Sequence, residues 1–310
     1  MLTTLWRRGH LIWANPRWRR VALACMLLAG LGVVLWTIAR DWANLVTYDW
    51  HFDWVYLALS SVAYMGSLAA AVIAWSMVMS ALQTRLAWQQ NGRFFLYSWM
   101  ARSLPTAAPF VVSRVMLYEQ AGVARRLTLA GMLWEQILLF ASGGALVLLI
   151  FPFTPLLGGN IPLIPAALLA FVSLFLALRP TAVARLLNWL LRRWLKEPIT
   201  DFLGLPATIA VFGLHALTWL LGGLILFLMV RSVYVLEWSQ LPVLVQIWIA
   251  SGLMGYLSFF VPLAPSLRDV SMAVLLTLVV PLSVALIIVL MARLWISLNE
   301  LFWALVFSRL

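Results

Sequence analysis

The chain has 310 residues, of which 65% are hydrophobic and 10% charged, with a mean hydropathy of +1.00. Soluble domains run at about 45–50% apolar and about 25% charged, so a water-soluble globule is excluded for want of polar residues to cover it. Extended disorder is excluded by the apolar content. The charge is lopsided, with 21 Lys and Arg against 10 Asp and Glu and a net of +11, and Lys196 is the sole lysine. This is the composition of an integral membrane protein in which each charge carries information. Its basic excess is read as loops that fix topology and meet anionic headgroups, not as a nucleic-acid surface. The single cysteine, Cys25, excludes an internal disulfide, and His10, His51 and His215 have no zinc spacing. No cofactor is expected.

In chain order, Arg7, Arg8, Arg17, Arg19 and Arg20 precede an apolar run over 21–39, which reads as a signal anchor. Asp49 and Asp53 flank His51 in the next loop, a pattern that fits a solvated loop better than a metal pair. A second span is predicted over 55–82, followed by Arg85 and Arg93. Residues 94–118 are apolar but interrupted by Arg102, Pro105, Pro109 and Arg114. Basic residues flank this stretch on both sides, whereas a full span has one basic end. Two half-helices in a re-entrant hairpin over 94–121 satisfy both observations. A third span over 128–151 carries Glu135 and Gln136. A fourth is expected over 163–178, and an amphipathic interfacial helix over 182–195. A fifth over 206–230 carries His215, read as a packed core histidine. Residues 242–278 are broken again, by Pro262, Pro265 and the pair Arg268-Asp269, and read as a second hairpin. A last span over 282–307 carries Arg293 and Glu300. The pairs Gly143-Gly144 and Gly222-Gly223 read as close helix packing.

The expected architecture is therefore all-α and polytopic, with six transmembrane helices and two re-entrant broken-helix hairpins. Both termini are expected in the cytoplasm of a cell whose plasma or inner membrane holds the chain. In that layout fifteen basic residues fall on the cytoplasmic side and only Arg40 and Arg231 outside. Four arginines are left in apolar surroundings: Arg102, Arg114, Arg268 and Arg293. Residues 1–158 and 159–310 show the same order of span, span, hairpin, span. Three spans per unit makes the second unit inverted, an arrangement associated with a midplane binding site.

The residues of the two hairpins resemble those of the lysylphosphatidylglycerol synthase transmembrane region family, also called flippase-like domain proteins. The first block reads Arg102-Ser-Leu104-Pro105, then Ser113-Arg114, then Gly122, with Glu135 in the following span. The second is similar to a Pro-Gly-Gly-x-Gly-x-Arg-Glu block with a later Arg. Here it reads Pro262-Leu-Ala-Pro265-Ser-Leu-Arg268-Asp269, then Arg293. The family's glycines are replaced and its Glu is Asp269, so a Gly-rich turn becomes a Pro-shaped one.

The resemblance implies translocation of an anionic or modified phospholipid between leaflets. It places Arg102, Arg114, Arg268, Arg293, Glu135 and Asp269 at the substrate and Pro105, Pro109, Pro262 and Pro265 at the hairpin turns. Guanidinium forks suit a lipid phosphate. Glu135 reads either as a counter-charge or proton-coupling carboxyl, or as half of a structural salt bridge. The aminoacyl-transferase domain of the synthases is not expected in this chain. Two alternatives stand beside translocation: a membrane-embedded transferase acting on a lipid-linked substrate, and a non-transporting partner of a separate lipid synthase.

Overall fold

The computed structural model describes residues 52–82, 84, 86–100, 108–150, 172, 175, 179–191, 203–256 and 267–308. The described residues are almost entirely helical and contain no strand. The expected spans over 21–39 and 163–178 lie outside them, apart from 172 and 175.

Four helices are long and apolar enough to cross a bilayer: α1 (Trp54–Ala81), α4 (Arg125–Ile150), α6 (Leu205–Arg231) and α9 (Leu282–Ser308). Each has at least 26 residues, about 40 Å at 1.5 Å per residue, against a hydrocarbon core about 30 Å thick. The chain is a multi-pass membrane protein. These four agree with the spans read from hydropathy to within three residues at either end.

The remaining helices are short. In the first half α2 (Trp88–Met100) and α3 (Ala108–Gln120) have 13 residues each. In the second, α7 (Leu241–Tyr256) has 16 and α8 (Leu267–Leu276) has 10. At about 15–24 Å none reaches across the hydrocarbon. A further helix, α5 (Pro180–Leu191), covers the first part of the expected amphipathic segment. It exposes Arg185, Leu186 and Trp189 and buries Ala184.

The start of α2 differs from the sequence reading, which left 88–93 as a basic loop. These residues are helical; Gln89 and Gln90 are exposed, while Asn91 faces the interior. Asn91 is 5% exposed and donates from Nδ2 to the Ser76 hydroxyl on α1 at 2.9 Å. Low hydropathy here marks an inward-facing polar contact, not a loop.

The centre of the bundle is the pair α1 and α6, packed along their length in opposite directions. The Asp53 amide donates to the Ser232 carbonyl at 2.9 Å, joining the start of one to the end of the other. Asp53 itself caps α1 by accepting from the Val55 amide at 2.9 Å. Around this pair the neighbours match between halves. α2 packs on α3, as α7 does on α8. α3 leans on α4, as α8 does on α9. α2 reaches α9 in the other half, as α7 reaches α4.

Glycines set the closest approaches. A Cβ on Gly222 would collide with the Trp248 indole, and one on Gly223 with the Val245 backbone. At Gly143 a Cβ would stand 3.0 Å from the Trp219 ring nitrogen, which donates to the Leu139 carbonyl at 3.0 Å. The glycine pairs read from sequence as packing contacts serve that purpose.

Candidate functional site

Arg114 and Tyr118 lie one turn apart on α3, so they face the same side. Both have 0% exposure. An isolated buried guanidinium is prohibitively costly, so its side chain needs a counter-charge and hydrogen bonds. The fold supplies both. Arg114 Nη1 lies 2.8 Å from Glu135 Oε2 on α4, and Nε donates to the Ser98 hydroxyl on α2 at 2.9 Å. The guanidinium carbon lies 4.4 Å from the Trp75 ring centroid, 4.5 Å from Phe95 and 4.6 Å from Phe110. Three ring faces complement the cation electrostatically while excluding solvent. Glu135 is 3% exposed. The charge pair is enclosed by four helices.

Tyr118 continues this polar interior. The Trp75 indole donates to its hydroxyl at 2.6 Å, and the hydroxyl hydrogen-bonds the Asn91 side-chain oxygen. Asn91 in turn reaches Ser76. The chain of bonds ties both α2 and α3 to α1.

The second pair of short helices, α7 and α8, is built differently. Arg268 and Asp269 are adjacent on α8 and turn to different neighbours. The Arg268 guanidinium lies 4.4 Å from the Trp248 ring centroid on α7. Its stem passes Gly255, where an added Cβ would come within 2.9 Å of the Arg268 Cβ. Asp269 turns to α9, with its Oδ2 2.7 Å from Arg293 Nη1. The Arg293 side chain is 54% exposed and that of Asp269 27%. Arg293 belongs to an outward stripe of α9 that includes Leu290, Leu294, Leu298 and Leu301, all exposed.

Of the residues read from sequence, Arg114 and Glu135 form one group, and Arg268, Asp269 and Arg293 another. Arg102, Pro105, Pro262 and Pro265 lie outside the described residues. Pro109 falls in the first turn of α3. Glu300, on the Arg293 face of α9 by spacing, accepts from the Tyr64 hydroxyl of α1 at 3.4 Å instead. His215 is 2% exposed, packed in α6 as expected, with no hydrogen-bond partner at Nε2. Asp53, weighed with Asp49 and His51 as a metal pair, is a helix cap. Among the described residues no three metal-ligating side chains cluster.

The aromatic partners Trp75, Phe95, Phe110 and Trp248, with Ser98, are the residues that sequence reasoning missed. In the sequence they are indistinguishable from lipid-facing or interfacial aromatics. An open crevice of about 510 Å³ lies between α1, α2 and α6, bordered by Ile73, Ser76, Ser80, Trp88, Leu203 and Ala207. The arginines do not line it. Neither a family model nor a curated protein matches this chain.

Proposed function

We propose that this protein binds an anionic or modified phospholipid and carries it between the leaflets of the cell membrane. In this reading each half contributes three spans and one re-entrant hairpin, the halves are inverted, and both termini are cytoplasmic. The arginine of the last helix, Arg293, is the accessible one that a passing phosphate headgroup meets, while the enclosed Arg114 fastens α3 to α4. The flippase-like resemblance of the hairpin residues points the same way.

One observation carries the proposal. The helices of the two halves have matching neighbours about the α1–α6 pair, and each half sets an arginine–carboxylate pair between its second hairpin arm and the following long helix. A charge pair at bilayer depth costs several kcal/mol unless it is complemented. Its recurrence at matched places is hard to account for by packing alone. Short helices α2, α3, α7 and α8 support the re-entrant reading, since broken backbone at membrane depth requires surrounding protein or a polar cavity.

The test is reconstitution. Proteoliposomes containing the protein and a trace of fluorescent phosphatidylglycerol are treated with an impermeant quencher. Flipping above that of protein-free vesicles is expected, with about tenfold slowing in Arg293→Ala, the scale of one lost charge-assisted contact. Wild-type vesicles indistinguishable from empty ones would overturn the reading.

A further inference from the structure

We propose that the crevice between α1, α2 and α6 binds one acyl chain of a membrane glycerolipid, with the ester carbonyl of that chain hydrogen-bonded at the Ser80 end. The inference goes beyond the translocation reading and requires only that α1 and α6 cross the bilayer.

The depth of the crevice comes first. It runs along α1 from Ile73 to Ala81, about 12 Å at 1.5 Å per residue. This is the last part of α1, and the wall at Gly204 and Ala207 is the start of α6. The 28 residues of α1 measure about 42 Å, against a hydrocarbon core of about 30 Å. Centred in the bilayer, α1 leaves roughly 6 Å at each end among the headgroups. The crevice therefore opens at the level of the lipid esters and continues past Ser76 into hydrocarbon.

Its chemistry comes second. The described lining is mostly apolar, with Ile73, Met77, Ala81 and Ala207, and carries no charged side chain. A free anion finds no counter-charge there. The volume of about 510 Å³ lies within the range of small-molecule sites, about 300–1,000 Å³. Ile73 and Trp88 are 40% and 51% exposed, so the crevice is open on its flank. What lies beside a spanning helix at that depth is an acyl chain, not water.

The hydrogen-bond donors come third. Ser60, Ser98, Ser142, Ser232 and Ser251 each turn the hydroxyl onto the carbonyl three residues earlier, the usual way to satisfy serine inside a helix. Ser76 and Ser80, one turn apart on the crevice wall, do not. Ser76 accepts from Asn91, but its own O–H has no acceptor among the described residues, nor has the Ser80 hydroxyl or the Trp88 indole N–H. Three donors in one neutral wall call for an acceptor on an apolar body, since donors left unpaired at membrane depth are costly. An ester carbonyl at the head of an acyl chain is such a group.

The experiment is photolabelling of the full chain in nanodiscs. The probe is a trace of ester-linked phosphatidylcholine with a diazirine on one acyl chain, and labelled peptides are mapped by mass spectrometry. One set of discs is made of ester-linked phosphatidylcholine and the other of its diether counterpart, which lacks the carbonyls. In diether discs the probe meets weaker competition for the crevice. Labelling of residues 73–81 is expected to be about fivefold stronger there than in ester discs, the scale of one net hydrogen bond. Labelling around Leu294 on α9, an ordinary lipid-facing surface, is expected to be equal in the two. Ser80 is exposed, so its variants should fold. Ser80→Ala is expected to bring the ratio close to one, and Ser80→Phe, which fills the crevice, to reduce labelling of 73–81 to the level around Leu294.

Labelling of 73–81 no stronger than around Leu294 in wild-type protein would overturn the site. A ratio of one in wild type, or an unchanged ratio in Ser80→Ala, would overturn the ester contact. A protein that labels as expected yet does not flip lipid would lose the translocation reading and keep the crevice.

Discussion

The two pairs of short helices, α2–α3 and α7–α8, solve one problem in opposite ways. Each is a pair of helices too short to cross the membrane, fastened to a long helix of its own half. In the first, fastening is polar: Asn91 bonds Ser76, Trp75 bonds Tyr118, and Arg114 is closed among rings with Glu135. In the second it is steric, with Gly222 and Gly223 drawing α7 onto α6, while the Asp269–Arg293 pair remains half-exposed. A buried network is costly to open, because every bond that breaks leaves a group without water to replace it. A glycine seam holds position without committing polar atoms.

This contrast is sharpest in a stability comparison of the two ion pairs. Arg114→Leu strands the buried Glu135 and is expected to lose roughly 3–5 kcal/mol. Arg114→Leu with Glu135→Leu should recover most of that loss, because replacing both members of a buried pair with apolar residues is close to neutral. Arg293→Leu should cost at most about 1 kcal/mol. Thermal unfolding in one detergent measures all three. Equal losses at both pairs would break the distinction.

A second comparison addresses the fastening. Gly223→Ala puts a Cβ against the Val245 backbone and should cost about 1–3 kcal/mol. Gly66→Ala on α1 meets only Leu221 at an ordinary 3.4 Å and should cost little. A third tests the polar network directly. Tyr118→Phe leaves the Trp75 indole and the Asn91 amide short of a partner, for about 1–2 kcal/mol. Hydrogen exchange on α2 and α3 should rise in Tyr118→Phe and on α7 in Gly223→Ala.

Much of this fold was legible because hydropathy over 20 or more residues reports the solvent that a helix meets. The long helices α1, α4, α6 and α9 fall where the apolar runs predicted. The prolines and charges expected to interrupt the two remaining apolar stretches fall largely in 101–107 and 257–266, outside the described residues. The glycine pairs were legible too, since small side chains in a span have few uses besides contact.

What escaped were contacts between residues far apart in the chain. Arg114 looks from sequence like any arginine near an interface. Its closure depends on Trp75, 39 positions earlier, and on Phe95 from the opposite arm. Nothing local distinguishes it from Arg293, whose side chain is 54% exposed. Helix α2 was read six residues short because Asn91 and its flanks look like loop until their partners on α1 are known. Glu135, read from sequence as a counter-charge, a proton-coupling carboxyl or half of a salt bridge, lies 2.8 Å from Arg114.

The matched ion pairs carry opposite polarity. In the first half the hairpin arm bears the arginine and the long helix the carboxylate; in the second the arm bears Asp269 and the long helix Arg293. The short-helix pairs α2–α3 and α7–α8 each pack on one of these long helices. An exchange would set Arg114 against Arg293 and Asp269 against Glu135, like charge on like charge in a medium with little screening. The reversal of sign penalises an arrangement in which the two arms exchange long helices.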